Sequence, residues 1–181
     1  MRLFSWLLVS VLFAGGTRAA GAAGELRHDS DRLTVVLTPR TPDQMAAFYT
    51  ARGFGRVMID RLSAQCFITV FIANKSADIV WLDLGQWRFG NAGGTMPRHD
   101  RNYWREQWNQ LQIPLAHQST FRWTLLPERL DFRPGEAEGG NIILPRLDKD
   151  LTITARFATG ADRAGTPIEV EFEKVRCAED P

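Results

Sequence analysis

Apolar and polar residues alternate along several short stretches of this chain, a pattern typical of β-strands with one buried face. The alternation is strict over residues 151–157 and again near the end of the chain, where Glu169, Glu171 and Glu173 separate the apolar positions. Residues 66–74 form instead an apolar run that suits a more deeply buried strand. Such patterns predict six or seven strands, at residues 33–38, 66–74, 78–84, 120–126, 140–144, 151–157 and 168–173.

The stretch between the first two strands predicts a pair of helices. Thr41 and Gln44 have the spacing of a capping box, and Pro42 occupies the first helical position. Residues 55–65 suit a second short helix better than a strand, because charged residues interrupt any alternation there. We therefore expect a helical insertion at about 41–65.

A second helical insertion is expected at about 100–112. Asp100 is placed to cap its first turn, and Trp104 and Trp108 lie four residues apart on one apolar stripe. The preceding residues, 85–97, are rich in glycine and predict a long loop.

Many short strands separated by glycine and proline are typical of two antiparallel sheets packed face to face. The chain has 181 residues, of which 44% are hydrophobic, and this suits one domain with a substantial core. We therefore expect a mainly β protein, an antiparallel β-sandwich, with a single domain over residues 25–181 that carries the two helical insertions.

The N-terminal residues predict export. Met1 and Arg2 form a short positive end, residues 3–14 are almost entirely apolar, and a run of small residues follows. This is the layout of a secretory signal peptide, and the apolar stretch is far shorter than the ~20 residues that cross a bilayer. We expect a signal peptide over residues 1–22 and a periplasmic or secreted protein without a later membrane span; an uncleaved anchor is the alternative.

The charge of the chain is nearly balanced, with 22 basic and 21 acidic residues and a net charge of +1. A strongly cationic surface is the usual mark of a protein that binds nucleic acid. We therefore expect no nucleic-acid partner.

Cys66 and Cys177 are the two cysteines of the chain. An even pair in an exported protein predicts one disulfide, which would close a long loop and stabilise the fold. Two unpaired thiols or a shared metal site are the alternatives, although the chain has no Cys-x-x-Cys spacing to favour metal or redox chemistry.

Several stretches resemble secreted bacterial immunoglobulin-like sandwich domains. They are Leu130-Asp-Phe-Arg-Pro-Gly-Glu, then Gly-Gly-Asn-Ile-Ile-Leu-Pro at 139–145, then the alternating strand that begins at Leu151. The strand and Asn-Lys-Ser turn at 66–76 are similar to the central hairpins of such domains. The resemblance covers about half of the chain and implies an immunoglobulin-like architecture, but no functional site.

Residues suited to catalysis are few. The chain contains His28, His99 and His117, but no Gly-x-Ser-x-Gly motif that would accompany a serine nucleophile. We therefore predict no catalytic residue and no cofactor, and the protein is expected not to be an enzyme. A hydrolase of unknown substrate is the third alternative, because acidic residues distant in sequence can meet in the fold.

We predict that residues 87–108 contact a protein partner at the cell envelope, since long loops on a rigid sheet scaffold often carry function. Trp87, in the glycine-rich loop, is expected to be exposed, and the predicted binding residues are Trp87, Arg98, His99 and Arg101. Arginine is suited to binding carboxylates through two parallel hydrogen bonds. The other tryptophans after the signal peptide are expected in the core, namely Trp81, Trp104, Trp108 and Trp123.

Binding of a small ligand is the second alternative. Met96 and His99 offer a thioether and an imidazole, which together suit copper, although no metal site is predicted. An exposed tryptophan ring would suit an envelope glycan.

Overall fold

A computed structural model gives the fold of residues 24–91 and 94–180, and the predicted signal peptide lies outside these described residues. The strands of the described chain are β1 Leu26–Asp29, β2 Leu33–Arg40, β3 Gln65–Asn74, β4 Val80–Asp83, β5 Arg88–Asn91, β6 Gly94–Thr95, β7 Arg129–Phe132, β8 Ala137–Pro145, β9 Leu151–Thr159 and β10 Ile168–Val175. Its helices are α1 Pro42–Thr50, α2 Arg56–Ser63, α3 Arg101–Gln110, α4 Leu115–Trp123 and a short 3-10 helix, Leu84–Gln86. The expectation of a mainly β protein is confirmed.

The strands form two antiparallel sheets. The first sheet has the order β1-β2-β3-β8, and the second has the order β6-β5-β9-β4-β7, with β10 also paired to β9. Strands β4 and β5 both pair with β9, β4 at Thr159 and β5 at Ile153. The short 3-10 helix lies between β4 and β5 in the chain and interrupts their pairing along β9. Six of the predicted strands are confirmed, as β2, β3, β4, β8, β9 and β10.

The apolar faces of the two sheets meet in one core, which we call the main core. Alternation decides which side chains enter it: Ile153, Ala155 and Phe157 of β9 are fully buried there, whereas Arg156 is exposed. Strand β10 follows the same rule, with its apolar residues buried and its glutamates exposed. The strict alternations in the sequence therefore reflect one apolar face in the main core and one outward face, on which Arg156 and the glutamates are exposed although Thr154 is buried.

The helices cover the outer face of the first sheet and form a second core, which we call the helical core. Phe67 of β3 and Ile143 of β8 are the sheet residues that contribute to it. Its buried members are Met45, Tyr49, Phe54, Met58, Leu62, Phe67, Trp104, Trp108, Phe121, Leu125 and Ile143. Since the first sheet has apolar contacts on both faces, β3 is nearly continuously apolar instead of alternating.

The helix starts follow the capping signals in the sequence. The backbone N–H of Gln44 donates to the Thr41 hydroxyl, and the Thr41 N–H donates to the Gln44 side chain, both at 3.2 Å. The Asp100 carboxylate likewise accepts the N–H of Tyr103 at 2.8 Å. Both helical insertions are confirmed. Within the described ranges, none of the helices combines the length and hydropathy needed to cross a bilayer.

Two predicted elements are wrong. Residues 120–126 do not form a strand, because they contain the end of helix α4 and the turn that follows it. Residues 85–97 are not simply a loop, because the 3-10 helix and strands β5 and β6 occupy part of this stretch. The tight Asn74-Lys75-Ser76 turn is present, and it carries the chain from β3 in the first sheet to β4 in the second.

The predicted disulfide between Cys66 and Cys177 is confirmed, with an S–S distance of 2.09 Å and a Cα–Cα distance of 5.2 Å. Cys66 lies in β3 and belongs to the main core, and Cys177 follows β10 and contacts the same core. The bond therefore joins a strand of the first sheet to the segment that follows the second.

Gly140 lies where another segment of backbone crosses the edge of β8. A Cβ atom at this position would come within 2.4 Å of the Leu126 backbone nitrogen. The crossing is fixed by two hydrogen bonds, from the Leu126 N–H to the Asn141 carbonyl at 3.0 Å and from the Asn141 N–H to the Thr124 carbonyl at 2.9 Å. The backbone at 124–126 cannot withdraw without breaking these bonds.

We expect Gly140→Ala to lower the free energy of unfolding by about 2–3 kcal/mol, at the upper end of the range for overpacking, because the clash is with backbone. Urea denaturation checks this value. Gly55→Ala is the matched control, since a Cβ there meets nothing within 4 Å. Because Gly55 is the N-cap of α2 and alanine is the poorer cap, this change should cost only about 0.5–1 kcal/mol. Equal losses in the two variants would contradict the close approach at Gly140.

Candidate functional site

Helices α3 and α4 enclose a groove of about 540 Å³ on the outside of the helical core. A connection of four residues, 111–114, joins the two helices, and the Gln118 side chain donates to the Asn109 side chain at 3.2 Å. Further along, the ring of Phe121 contacts that of Trp104. The helices therefore run in opposite directions, as in an αα-hairpin.

The groove is lined by side chains from both helices and from the turn that follows α4. Its members are Arg101, Asn102, Trp104, Arg105, Trp108, Leu115, Gln118, Ser119, Phe121, Arg122 and Leu125.

Aromatic rings form the floor of the groove. Trp104 and Trp108 stack with centroids 4.9 Å apart, and the ring of Phe121 stands edge-on to both at 5.1 Å. All three rings are fully buried in the helical core. Such offset and edge-to-face contacts stabilise aromatic clusters beyond the area they bury. The floor is therefore rigid and apolar.

Two large apolar side chains of α4 lie exposed beside this floor. Leu115 lines the groove and is 79% exposed, and Trp123 is 81% exposed. Trp123 lies four residues after the groove residue Ser119, so it is next to the same face of the helix. A tryptophan and a leucine left in water beside an apolar groove are typical of a binding surface.

The position of α4 is fixed at its C-terminal end by hydrogen bonds that are at least partly shielded from water. The hydroxyl groups of Tyr49 and Thr124 are 2.8 Å apart and hydrogen-bonded. Burial raises the pKa of Tyr49 above its usual range, so its hydroxyl stays protonated. The main-chain bonds between residues 124–126 and Asn141 hold the same turn against the first sheet.

One end of the groove is cationic. Arg101 and Arg105 lie in the first half of α3, and Arg122 lies at the end of α4, so antiparallel packing places all three away from the 111–114 connection. No acidic side chain is among the described residues that line the groove. Among the described residues, none of the three arginines forms an ion pair.

Several donors at the groove have no acceptor. The indole N–H groups of Trp104 and Trp108 and the Nε atom of Arg101 are buried without a hydrogen-bond partner among the described residues. A buried polar group left without a partner costs about 1–3 kcal/mol. The surroundings of the groove therefore combine apolar surface with an excess of donors and positive charge.

Of the four predicted binding residues, only Arg101 lines the groove. Trp87 is in the main core, with its ring 5.7 Å from that of Phe157 and only 5% of its surface exposed, so the expectation that it is exposed is wrong. Its side chain is buried because the chain from β4 to β5 follows β9 instead of leaving the sheet as a loop.

Arg98 and His99 lie on the path from the second sheet to α3. The Arg98 guanidinium donates to both carboxylate oxygens of Glu128, at 3.1 and 2.5 Å. The His99 ring stacks on Tyr103 at 3.8 Å, and its backbone N–H donates to the Ile143 carbonyl at 2.9 Å. Burial and the positive charge of Arg61 lower the pKa of His99, which favours the neutral ring.

The structure does not bring Met96 and His99 together in one core. Met96 contacts the main core, whereas the His99 ring contacts Tyr103 and Trp104 on the helical side of the first sheet. Across residues 24–91 and 94–180, no group of three or more histidine, cysteine or acidic side chains is arranged to hold a metal ion.

The residues of α4 were not identified as site residues, since only the end of this helix was assigned an element and residues 120–126 are predicted as a strand. Trp123 is expected in the core on that reading, and this expectation is wrong because the side chain is exposed. Leu115, Ser119 and Arg122 have i, i+4, i+7 spacing, which is the signal that identifies one face of this helix. Arg101 and Arg105 have the same four-residue spacing on α3.

Comparisons with known proteins add no relative. No family model, curated protein or solved structure matches this chain. The function is therefore inferred from the groove and its surroundings.

Proposed function

We propose that the protein is an exported, non-enzymatic binding module of the cell envelope, and that the groove between α3 and α4 binds an apolar segment of a protein partner. The observation that carries this proposal is the combination of a buried aromatic floor with the exposed side chains of Leu115 and Trp123 beside it. Burial of apolar surface contributes about 25 cal/mol per Å². Tryptophan is also among the residue types that most often dominate binding at protein interfaces.

The size of the groove suits a short peptide segment. Clefts of roughly 300–1,000 Å³ enclose most of a drug-sized ligand, which corresponds to a few amino-acid side chains. A concave site of this kind favours a protein segment over a membrane surface. A bilayer would contact the protruding Trp123 and Leu115, but a flat surface would not fill the groove between the helices.

Export and the finer architecture belong to the same proposal. The disulfide supports an oxidising compartment such as the periplasm, where such bonds persist. Two antiparallel sheets around one core support a sandwich, and we propose that it is immunoglobulin-like. The helical layer then provides the binding surface on a rigid scaffold.

A displayed library of random twelve-residue peptides tests the proposal, selected on the disulfide-bonded protein. We expect selected peptides to contain apolar residues and to bind at least tenfold more weakly to the variant Leu115→Ala/Trp123→Ala. Titration calorimetry measures the affinities. Val57→Ala is the matched control, because Val57 is an exposed aliphatic side chain on α2, and it should leave binding unchanged.

The other ligand classes are separate arms of the same experiment. Cell-wall oligosaccharides, Cu(I), Cu(II) and anionic phospholipid vesicles are titrated into the same protein. The proposal for a protein partner would be overturned if no peptide is enriched and one of these ligands binds the original protein but not the variant Leu115→Ala/Trp123→Ala. Peptides that bind the double variant as tightly as the original protein would overturn the assignment of the groove.

A further inference from the structure

We infer that the partner segment is acidic at one end, with carboxylate side chains at Arg101, Arg105 and Arg122 and its apolar residues over the other end of the groove. This inference rests on the proposed function and adds the chemistry and direction of the ligand. It follows from the unequal distribution of charge along the groove.

The two ends of the groove differ in character. At the end near the 111–114 connection lie Trp108 and Leu115, together with the uncharged Gln118. The opposite end carries the three guanidinium groups, with the exposed Trp123 ring next to Arg122, and no carboxylate among the described residues that line it. A ligand that matches both ends must itself have an apolar part and an anionic part.

Six arginines elsewhere in the described chain form ion pairs with carboxylates and others do not, so the groove arginines are distinctive because three of them lie together at one end of a groove. Arg98 pairs with Glu128, Arg129 with Asp83 at 3.2 Å, and Arg176 with Asp150. The groove arginines have no such partner among the described residues, although Glu106 follows Arg105 directly in the chain. Their charges are available to an incoming ligand.

More than one carboxylate is needed to match this charge. A guanidinium binds one carboxylate through two parallel hydrogen bonds, and Arg101, Arg105 and Arg122 together carry three positive charges. A single terminal carboxylate would leave most of that charge unpaired. We therefore assign the anionic part to acidic side chains of the segment and not to its C-terminus.

The helix geometry also sets the spacing within the ligand. Arg101 and Trp108 are seven residues apart, which is about 10 Å along α3. An extended peptide covers that length in about three residues. The acidic residues should therefore lie about three positions from the apolar anchor of the segment.

The peptide selection of the previous subsection tests this inference when it is repeated on the triple variant Arg101→Gln/Arg105→Gln/Arg122→Gln. We expect peptides selected on the original protein to carry two or more Asp or Glu about three positions from an apolar residue. That acidic enrichment should be absent on the triple variant. Arg27→Gln/Arg88→Gln/Arg129→Gln removes the same charge from other surfaces and should retain the enrichment.

The outcomes separate this inference from the proposed function. Peptides with apolar anchors but no acidic enrichment, or acidic enrichment that persists on the groove variant, would overturn the inference and leave the proposed function standing. No enrichment of any kind would count against both. A second library with free C-termini is run in parallel. If peptides bind only when their C-terminus is free, the anionic group is the terminal carboxylate, and the assignment to acidic side chains is overturned.

For one selected peptide, replacement of its acidic residues by the matching amides should weaken binding at least tenfold in 50 mM salt. The difference should shrink in 500 mM salt, because screening at higher ionic strength weakens exposed charge pairs. Equal affinities of the two peptides at 50 mM salt would contradict the cationic end of the groove as a binding element.

Discussion

Replacing Cys66 and Cys177 with alanine is expected to lower the free energy of unfolding by about 4 kcal/mol, within the ~2–5 kcal/mol range for native disulfides. The bond joins residues that are 111 positions apart, so its loss releases a long loop in the unfolded chain. Urea denaturation followed by tryptophan fluorescence measures the change.

Reduction of the original protein by dithiothreitol is the control for this variant, since it removes the bond without changing the side chains. The two treatments should give similar losses of stability. A loss below about 1 kcal/mol in both would show that the disulfide does not contribute to the fold as described here, and it would remove the main support for an oxidising compartment.

Trp104→Ala is expected to cost about 3–5 kcal/mol, the range for truncating a large buried aromatic side chain. Its ring contacts the rings of His99, Tyr103, Trp108 and Phe121, so the substitution would leave a cavity at the centre of the helical core. Thermal and urea unfolding measure the loss.

Trp123→Ala is the matched control, because it makes the same substitution at a side chain that is 81% exposed. It should change the stability by no more than about 0.5 kcal/mol. Similar losses at the two positions would contradict the placement of Trp104 beneath the groove and Trp123 beside it.

Local signals in the sequence predicted much of the fold. The capping box at Thr41 and the cap at Asp100 locate the starts of α1 and α3, because capping depends on residues only three positions apart. Strict alternation identifies β9 and β10 because the apolar side chains of each strand lie on the one face that enters the main core. The cysteine pair was also predicted, from its number and the expected compartment.

Helix α4 was not predicted because the sequence at its C-terminal end, residues 120–126, also suits a strand. Phe121, Trp123 and Leu125 alternate with polar residues, which predicts that all three lie on one buried face. In the structure Phe121 and Leu125 are buried in the helical core, whereas Trp123 is exposed to water. The choice is made by tertiary packing, since residues 124–126 bond to the edge of β8. A strand through this segment would be incompatible with that turn.

The position of Trp87 depended on pairing between distant segments. A glycine-rich stretch suggests a loop, but Arg88 and Phe89 pair with β9, more than sixty residues later in the chain. This pairing places the Trp87 ring in the main core. Among the candidate binding residues, Arg101 was identified from its residue type, whereas Leu115 and Trp123 required the orientation of α4.

The indole N–H signals of the five tryptophans that follow the predicted signal peptide test the binding groove most directly. Proton–nitrogen correlation spectra are recorded while a selected peptide is added. The signals of Trp104, Trp108 and Trp123 should shift, whereas those of Trp81, whose N–H donates to the Gly160 carbonyl at 2.7 Å, and of Trp87 in the main core should not. Binding that shifts Trp81 or Trp87 and leaves Trp104, Trp108 and Trp123 unchanged would contradict the groove as the binding site.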